Sequence, residues 1–85
     1  MTELTFEERN RIQQLENILS EVSYLRNSQS VLDAIESETI KGIRHIQNNA
    51  GKNDFFFPER SYMSEKIGLL QDSADHIYEL MFDKH

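Results

Sequence analysis

Leu25-Arg26-Asn27-Ser28-Gln29-Ser30-Val31-Leu32 is the stretch on which the fold turns. Upstream, apolar residues recur at Ile12, Leu15, Leu19 and Val22, spaced 3, 4 and 3, which is one face of a helix at coiled-coil spacing. A second register runs through Ile18, Val22, Leu25, Gln29, Leu32, Thr39, Ile43 and Ile46, so the apolar phase changes across the polar run Arg26–Ser30. Two readings are open. In one, a single helix runs from about Phe6 to about Asn48, with the polar run as a stutter in its seam. It would be about 64 Å long at 1.5 Å per residue. In the other, the chain turns at Asn27-Ser28, Ser30 caps a second helix, and the molecule is a three-helix bundle. No Gly or Pro occurs between Met1 and Lys41, which favours the long helix.

The boundaries on either side are clearer. Thr5-Phe6-Glu7-Glu8 reads as a capping box, in which the Thr5 hydroxyl and the Glu8 carboxylate each satisfy one end of the first turn. Glu7 and Arg11 stand at i and i+4, the favourable order for a surface pair. After Asn48, the run Asn49-Ala50-Gly51-Lys52-Asn53-Asp54 ends the helix with a glycine and turn residues. Pro58 suits the first position of a final helix, with Glu59 in its first turn.

That final helix is expected over about 58–84. Met63, Ile67, Leu70, Ala74, Ile77 and Met81 are spaced 4, 3, 4, 3 and 4, a heptad seam. Gly68 lies inside it, at a cost of about 1 kcal/mol against Ala, which suggests a close approach. Tyr62, Leu69, Tyr78, Leu80 and Phe82 lie off the seam and widen the apolar surface. The expectation is an all-α single domain over residues 1–85: an antiparallel helical hairpin, or a three-helix bundle if the chain breaks near 27–30. Such a hairpin leaves apolar surface uncovered, so the Met63–Met81 seam is expected to join copies of the chain in a homo-oligomer.

Composition narrows the function. A chain of 85 residues has one small core, and without cysteine it has neither disulfides nor thiolate zinc sites to support it. The net charge is -6, and no block of Lys and Arg stands out. Direct nucleic-acid binding, which draws on clustered cations, and docking on an anionic membrane are not expected. An acidic mimic of nucleic acid is disfavoured by the interleaved Arg and Lys. The longest apolar run is Phe55-Phe56-Phe57, far short of the ~20 residues a spanning helix needs. The opening Met1-Thr2-Glu3-Leu4-Thr5 has neither a basic start nor an apolar core, so a cytoplasmic location is expected.

Several constellations are candidates for chemistry. Asp72, His76, Glu79 and Asp83 share one helix face at ligand-like spacing, but on the outer side of the heptad, where a solvated acidic stripe is the simpler reading and no metal is expected. His45, His76 and His85 are the groups that titrate near neutrality. None stands beside a recognisable nucleophile, no glycine-rich phosphate loop exists, and no catalytic residue or cofactor is expected.

Three adjacent phenylalanines in a connection are unusual, and in a tight turn they cannot all point the same way. Two can plug the end of the bundle, while one or more anchors a partner chain. Phe55, Phe56, Phe57, Tyr62, Leu69, Tyr78 and Phe82 are therefore the candidate partner-binding residues. Lys41, Arg44, Lys52, Arg60 and Lys66 flank the same turn. Lys41, Arg44, Arg60 and Lys66 could together bind a nucleotide or other phosphorylated anion, or they are ordinary surface charges paired with nearby glutamates. The expectation is a non-enzymatic interaction protein (an adaptor, inhibitor or small chaperone) that binds a protein partner. The alternative is an oligomeric binder of a small anionic ligand.

Overall fold

A computed structural model of the chain describes residues 3–82. The protein is all-α, with helices α1 (Phe6–Val22), α2 (Gln29–Asn48), α3 (Arg60–Gly68) and α4 (Ala74–Phe82). His85, Asp83 and the end of the last helix at about 84 lie outside the described residues.

The chain does turn within the polar run. α1 ends at Val22, and α2 begins at Gln29 with Ser28, not Ser30, as its N-cap. The Ser28 hydroxyl accepts from Val31 N–H at 3.4 Å. The greatest extent of the molecule is 41 Å, which leaves no room for a straight helix of about 64 Å. The long-helix reading fails because the register shift moves the apolar face of α2 relative to that of α1. Val31, Leu32, Ile35, Thr39, Gly42 and Ile46 of α2 and Ile12, Leu15, Ile18 and Val22 of α1 are all buried. Folding back lets both faces meet in one core.

The last expected helix is also divided. Leu69–Ser73 forms a turn, with Leu69 N–H donating to Lys66 O, Leu70 N–H to Ile67 O, and Ser73 at φ 64°. Gly68 marks the end of α3 rather than a close approach, because nothing lies within 4 Å of where its Cβ would be. Pro58 precedes the cap, and Glu59 is the N-cap, its carboxylate accepting Ser61 and Tyr62 N–H at 3.0 and 2.7 Å.

The four helices pack in a ring: α1 on α2, α2 on α3, α3 on α4 and α4 on α1. Directions follow from the cross-links. Gly51, just past α2, meets Glu8 at the start of α1, while Arg11 meets Leu80 and Met81 and Glu21 meets His76. α4 therefore runs antiparallel to α1. The loop after α2 and the turn after α3 place α3 antiparallel to α2, with Phe56 against Gly42 and Leu69 bonded to Asn27. This is an up-down-up-down bundle, the topology that short connections favour. The seam residues Met63, Ile67, Leu70, Ile77 and Met81 are buried inside this ring, with Ala74 half-buried. Their heptad spacing is satisfied within one chain, so in this arrangement a second copy would meet outer faces instead.

Candidate functional site

The end of the bundle where the 49–59 connection crosses α1 is organised by two buried charged groups. Glu8 accepts Thr5 N–H at 2.8 Å, and Thr5 Oγ1 accepts Glu8 N–H at 3.1 Å, completing the capping box. The same carboxylate also accepts Gly51 N–H at 2.9 Å and Asn53 N–H at 3.1 Å. Gly51 and Asn53 have φ of 87° and 56°, in the left-handed region that aims successive N–H groups at one acceptor. These backbone donors, Thr5 first, hold the Glu8 carboxyl below its ordinary range.

The i, i+4 spacing offers Arg11 a partner in Glu7. Arg11 turns inward instead and is 3% exposed. Its Nε donates to Phe55 O at 3.0 Å, Nη1 to Leu80 O at 2.7 Å and Gln14 Oε1 at 3.1 Å, and Nη2 to Phe56 O at 3.1 Å and to Met81 O. These bonds use every N–H the guanidinium has. Leu80 and Met81 lie in the last described turn of α4. Burial lowers the Arg11 pKa to about 10, which leaves it charged at neutral pH. The guanidinium carbon stands 4.4 Å from the centroid of the Phe57 ring.

These anchors set the three phenylalanines apart. Phe56 has φ 51°, so its side chain leaves on the opposite side from its neighbours. Its ring lies against Gly42, where an added Cβ would come within 2.6 Å, and 5.6 Å from the His45 ring. His45 Nε2 pairs with Asp54 Oδ2 at 2.6 Å, and Asp54 Oδ1 accepts Phe56 N–H at 3.2 Å. His45, together with the Phe56 N–H, lowers the Asp54 carboxyl pKa. Phe56 is thus the plug. Phe55 and Phe57, both half-buried, line a cleft of about 480 Å³ with Glu7, Asn10, Gln13, Gln14 and Asn17 of α1, and Arg11 at its base. Gln13 Nε2 donates to Asn17 Oδ1 at 3.0 Å along its rim.

The other candidate residues are dispersed. Tyr62 and Leu69 on the α3 side are 45% and 54% exposed, whereas Phe82 is buried and Tyr78 packs on it with ring centroids 5.0 Å apart. Lys41 and Arg44 line a shallow depression on α2 with Ser37, Ile40, His45 and Asn48. Arg60 lies elsewhere, 5.2 Å from the Tyr78 ring and 5.3 Å from the Phe82 ring, and Lys66 lies 5.4 Å from the Tyr62 ring. The four cations are not brought into one pocket.

Asp72 and Glu79 are exposed, and His76 Nδ1 pairs with Glu21 Oε1, tying α4 to α1. Among the described residues, no group of three acidic or histidine side chains is placed to hold a metal ion. No described helix is long and apolar enough to cross a membrane. Compared with protein-family models, curated proteins and solved structures, the chain matches none.

The cleft adds Asn10, Gln13, Gln14 and Asn17 to the candidate set. Their signal in the sequence is an absence of charge: they share one side of α1 in a chain that is 28% charged.

Proposed function

We propose that the protein is a non-enzymatic helical interaction protein that binds a protein partner at the cleft between α1 and the Phe55–Phe57 connection. The observation that carries this reading is the fixed, half-buried pair Phe55 and Phe57 on a wall of amides. Aromatic anchors in a preformed recess lose little conformational freedom on binding and supply much of the energy of an interface. Asn10, Gln13, Gln14 and Asn17 can each donate and accept, so they suit the polar groups of a peptide or helix surface. Arg11 has no N–H left to offer and acts as a positioning residue for the two rings.

Affinity capture from the native host with two baits tests the proposal. One bait is the wild-type chain, and the other carries Asn10→Arg and Asn17→Arg, both at exposed positions. Circular dichroism first establishes that the variant is folded. A protein held by the wild type and released by the variant supports the reading. An identical set of captured proteins counts against it.

A narrower anion-binding reading rests on Lys41 and Arg44, which share the α2 depression with His45 and Asn48. A thermal shift with inorganic phosphate or ATP that is lost in Arg44→Ala would favour it. No shift with either would remove it.

A further inference from the structure

Phe6, Asn10, Gln13, Asn17, Ser20 and Tyr24 are spaced 4, 3, 4, 3 and 4, and all are exposed. At about 100° per residue they form one stripe about 80° wide, opposite the buried Ile12, Leu15 and Val22. Tyr24 lies just past α1, and its N–H donates to Glu21 O at 3.0 Å, so it continues the spiral. The stripe holds no charged residue, although the chain carries -6. Its two ends are the most exposed large apolar side chains described, Phe6 at 67% and Tyr24 at 84%. The stripe is continuous with the cleft, because Asn10, Gln13 and Asn17 belong to both.

The order of residue types is nearly the same read in either direction: aromatic, amide, amide, amide, hydroxyl, aromatic. We infer that the occupant of this face is a second copy of the chain, docked with the two α1 helices antiparallel about a two-fold axis. Phe6 then opposes Tyr24 of the other copy, Asn10 opposes Ser20, and Gln13 opposes Asn17. A two-fold interface must be self-complementary, and a face of amides with aromatic ends meets that condition. Amides opposite amides can satisfy one another whichever copy donates. Two chains of charge -6 repel on approach, and this uncharged stripe is where they meet with least repulsion. Glu7 and Glu21 lie along one edge of the stripe and Arg9 and Glu16 along the other. The antiparallel arrangement brings Glu7 beside Glu21 of the other copy and Glu16 beside its own counterpart. Three of the four flanking charges per chain thus meet like charge, and Arg9 offsets them in part. The dimer therefore tightens as salt rises. This inference rests on the cleft side of α1 being an interaction surface and names what occupies it.

Sedimentation of the full chain, at low and at physiological salt, is the first measurement. A dimer that tightens with salt is expected. A monomer at every reachable concentration, or a dimer that weakens with salt, overturns the inference. Gln13→Lys with Asn17→Lys sets cations opposite one another and is expected to weaken the dimer at least about tenfold. Gln13→Lys with Asn17→Glu restores opposite charges and recovers most of that loss, while equal behaviour of the two variants overturns the pairing.

The absence of cysteine gives a further check on direction. Asn10→Cys with Ser20→Cys should oxidise to a linked dimer, because within one helix the two positions are about 15 Å apart and cannot join. Phe6→Cys alone should stay unlinked, whereas efficient Phe6→Cys self-linking indicates parallel helices and overturns the proposal. A chain that stays monomeric yet loses a captured protein on Asn10→Arg and Asn17→Arg would refute the second-copy occupant and leave the cleft reading standing.

Discussion

The Glu8 carboxylate accepts the Gly51 N–H at 2.9 Å across 43 residues of sequence. One side chain therefore caps α1 and fixes the connection that carries the phenylalanines. Without it, the half-buried Thr5 N–H would lose its partner and the N–H groups of Gly51 and Asn53 would lose the acceptor that holds the connection against α1.

Glu8 makes stability depend on pH with a definite sign. Its folded-state pKa lies below the ordinary carboxylate value, so its contribution is present above that ordinary value and is lost as pH falls through the lowered one. Glu8→Gln keeps the shape but not the charge. Thermal unfolding at neutral pH should show Glu8→Gln below wild type and Glu8→Ala lower still. The gap between wild type and Glu8→Gln should narrow as pH is taken below the carboxylate range.

Arg11→Lys keeps the charge and loses the fork that binds carbonyls of both α4 and the connection. Loss of buried charge-assisted bonds of this kind is expected to cost about 2–4 kcal/mol in denaturant unfolding. Faster amide exchange in residues 54–57 than in α2 would locate the effect. Exchange rates unchanged from wild type would mean that Arg11 does not position the cleft.

Gly42 and Phe56 should be coupled. A Cβ at Gly42 would stand 2.6 Å from the Phe56 ring, so Gly42→Ala is expected to destabilise by about 1–3 kcal/mol despite the better helix propensity of Ala. In a Phe56→Ala background the clash is gone, and Gly42→Ala should be neutral or stabilise by up to about 1 kcal/mol. A double-mutant cycle of denaturation curves measures the difference.

Asn27 joins the two turns at the far end. Its Nδ2 donates to Leu69 O and its Oδ1 accepts Gln71 N–H, both at 3.3 Å. Asn27→Ala should cost about 1 kcal/mol, as expected for exposed, long hydrogen bonds. Hydrogen exchange should rise in the 69–73 turn while the centres of α1 and α2 stay protected.

Much of the fold is legible in local signals. Thr5 and Glu8 announce the start of α1, and Asn49–Asp54 ends α2. The apolar registers name Ile12, Leu15, Ile18, Val22, Leu32, Thr39 and Ile46 among the buried residues, though they pass over Val31, Ile35 and Gly42 and include the exposed Gln29. The turn at Leu69–Ser73 is hidden because Leu70 and Ala74 continue the heptad count across it. The clues it does leave, Gly68 and the polar Gln71-Asp72-Ser73, resemble those of the earlier break at Arg26–Ser30. The divergence of the phenylalanines follows from their adjacency, but which of them faces which helix does not.

By itself the sequence determined helices, their caps and a set of apolar positions, because these depend on neighbours within one or two turns. Tertiary structure alone decided that α3 and α4 are two helices. With nine described residues each, they are too short to persist alone and exist through packing on α2 and α1. It also decided that Arg11 turns inward, because the carbonyls that satisfy a buried guanidinium come from Phe55, Phe56, Leu80 and Met81, dozens of residues away in the chain.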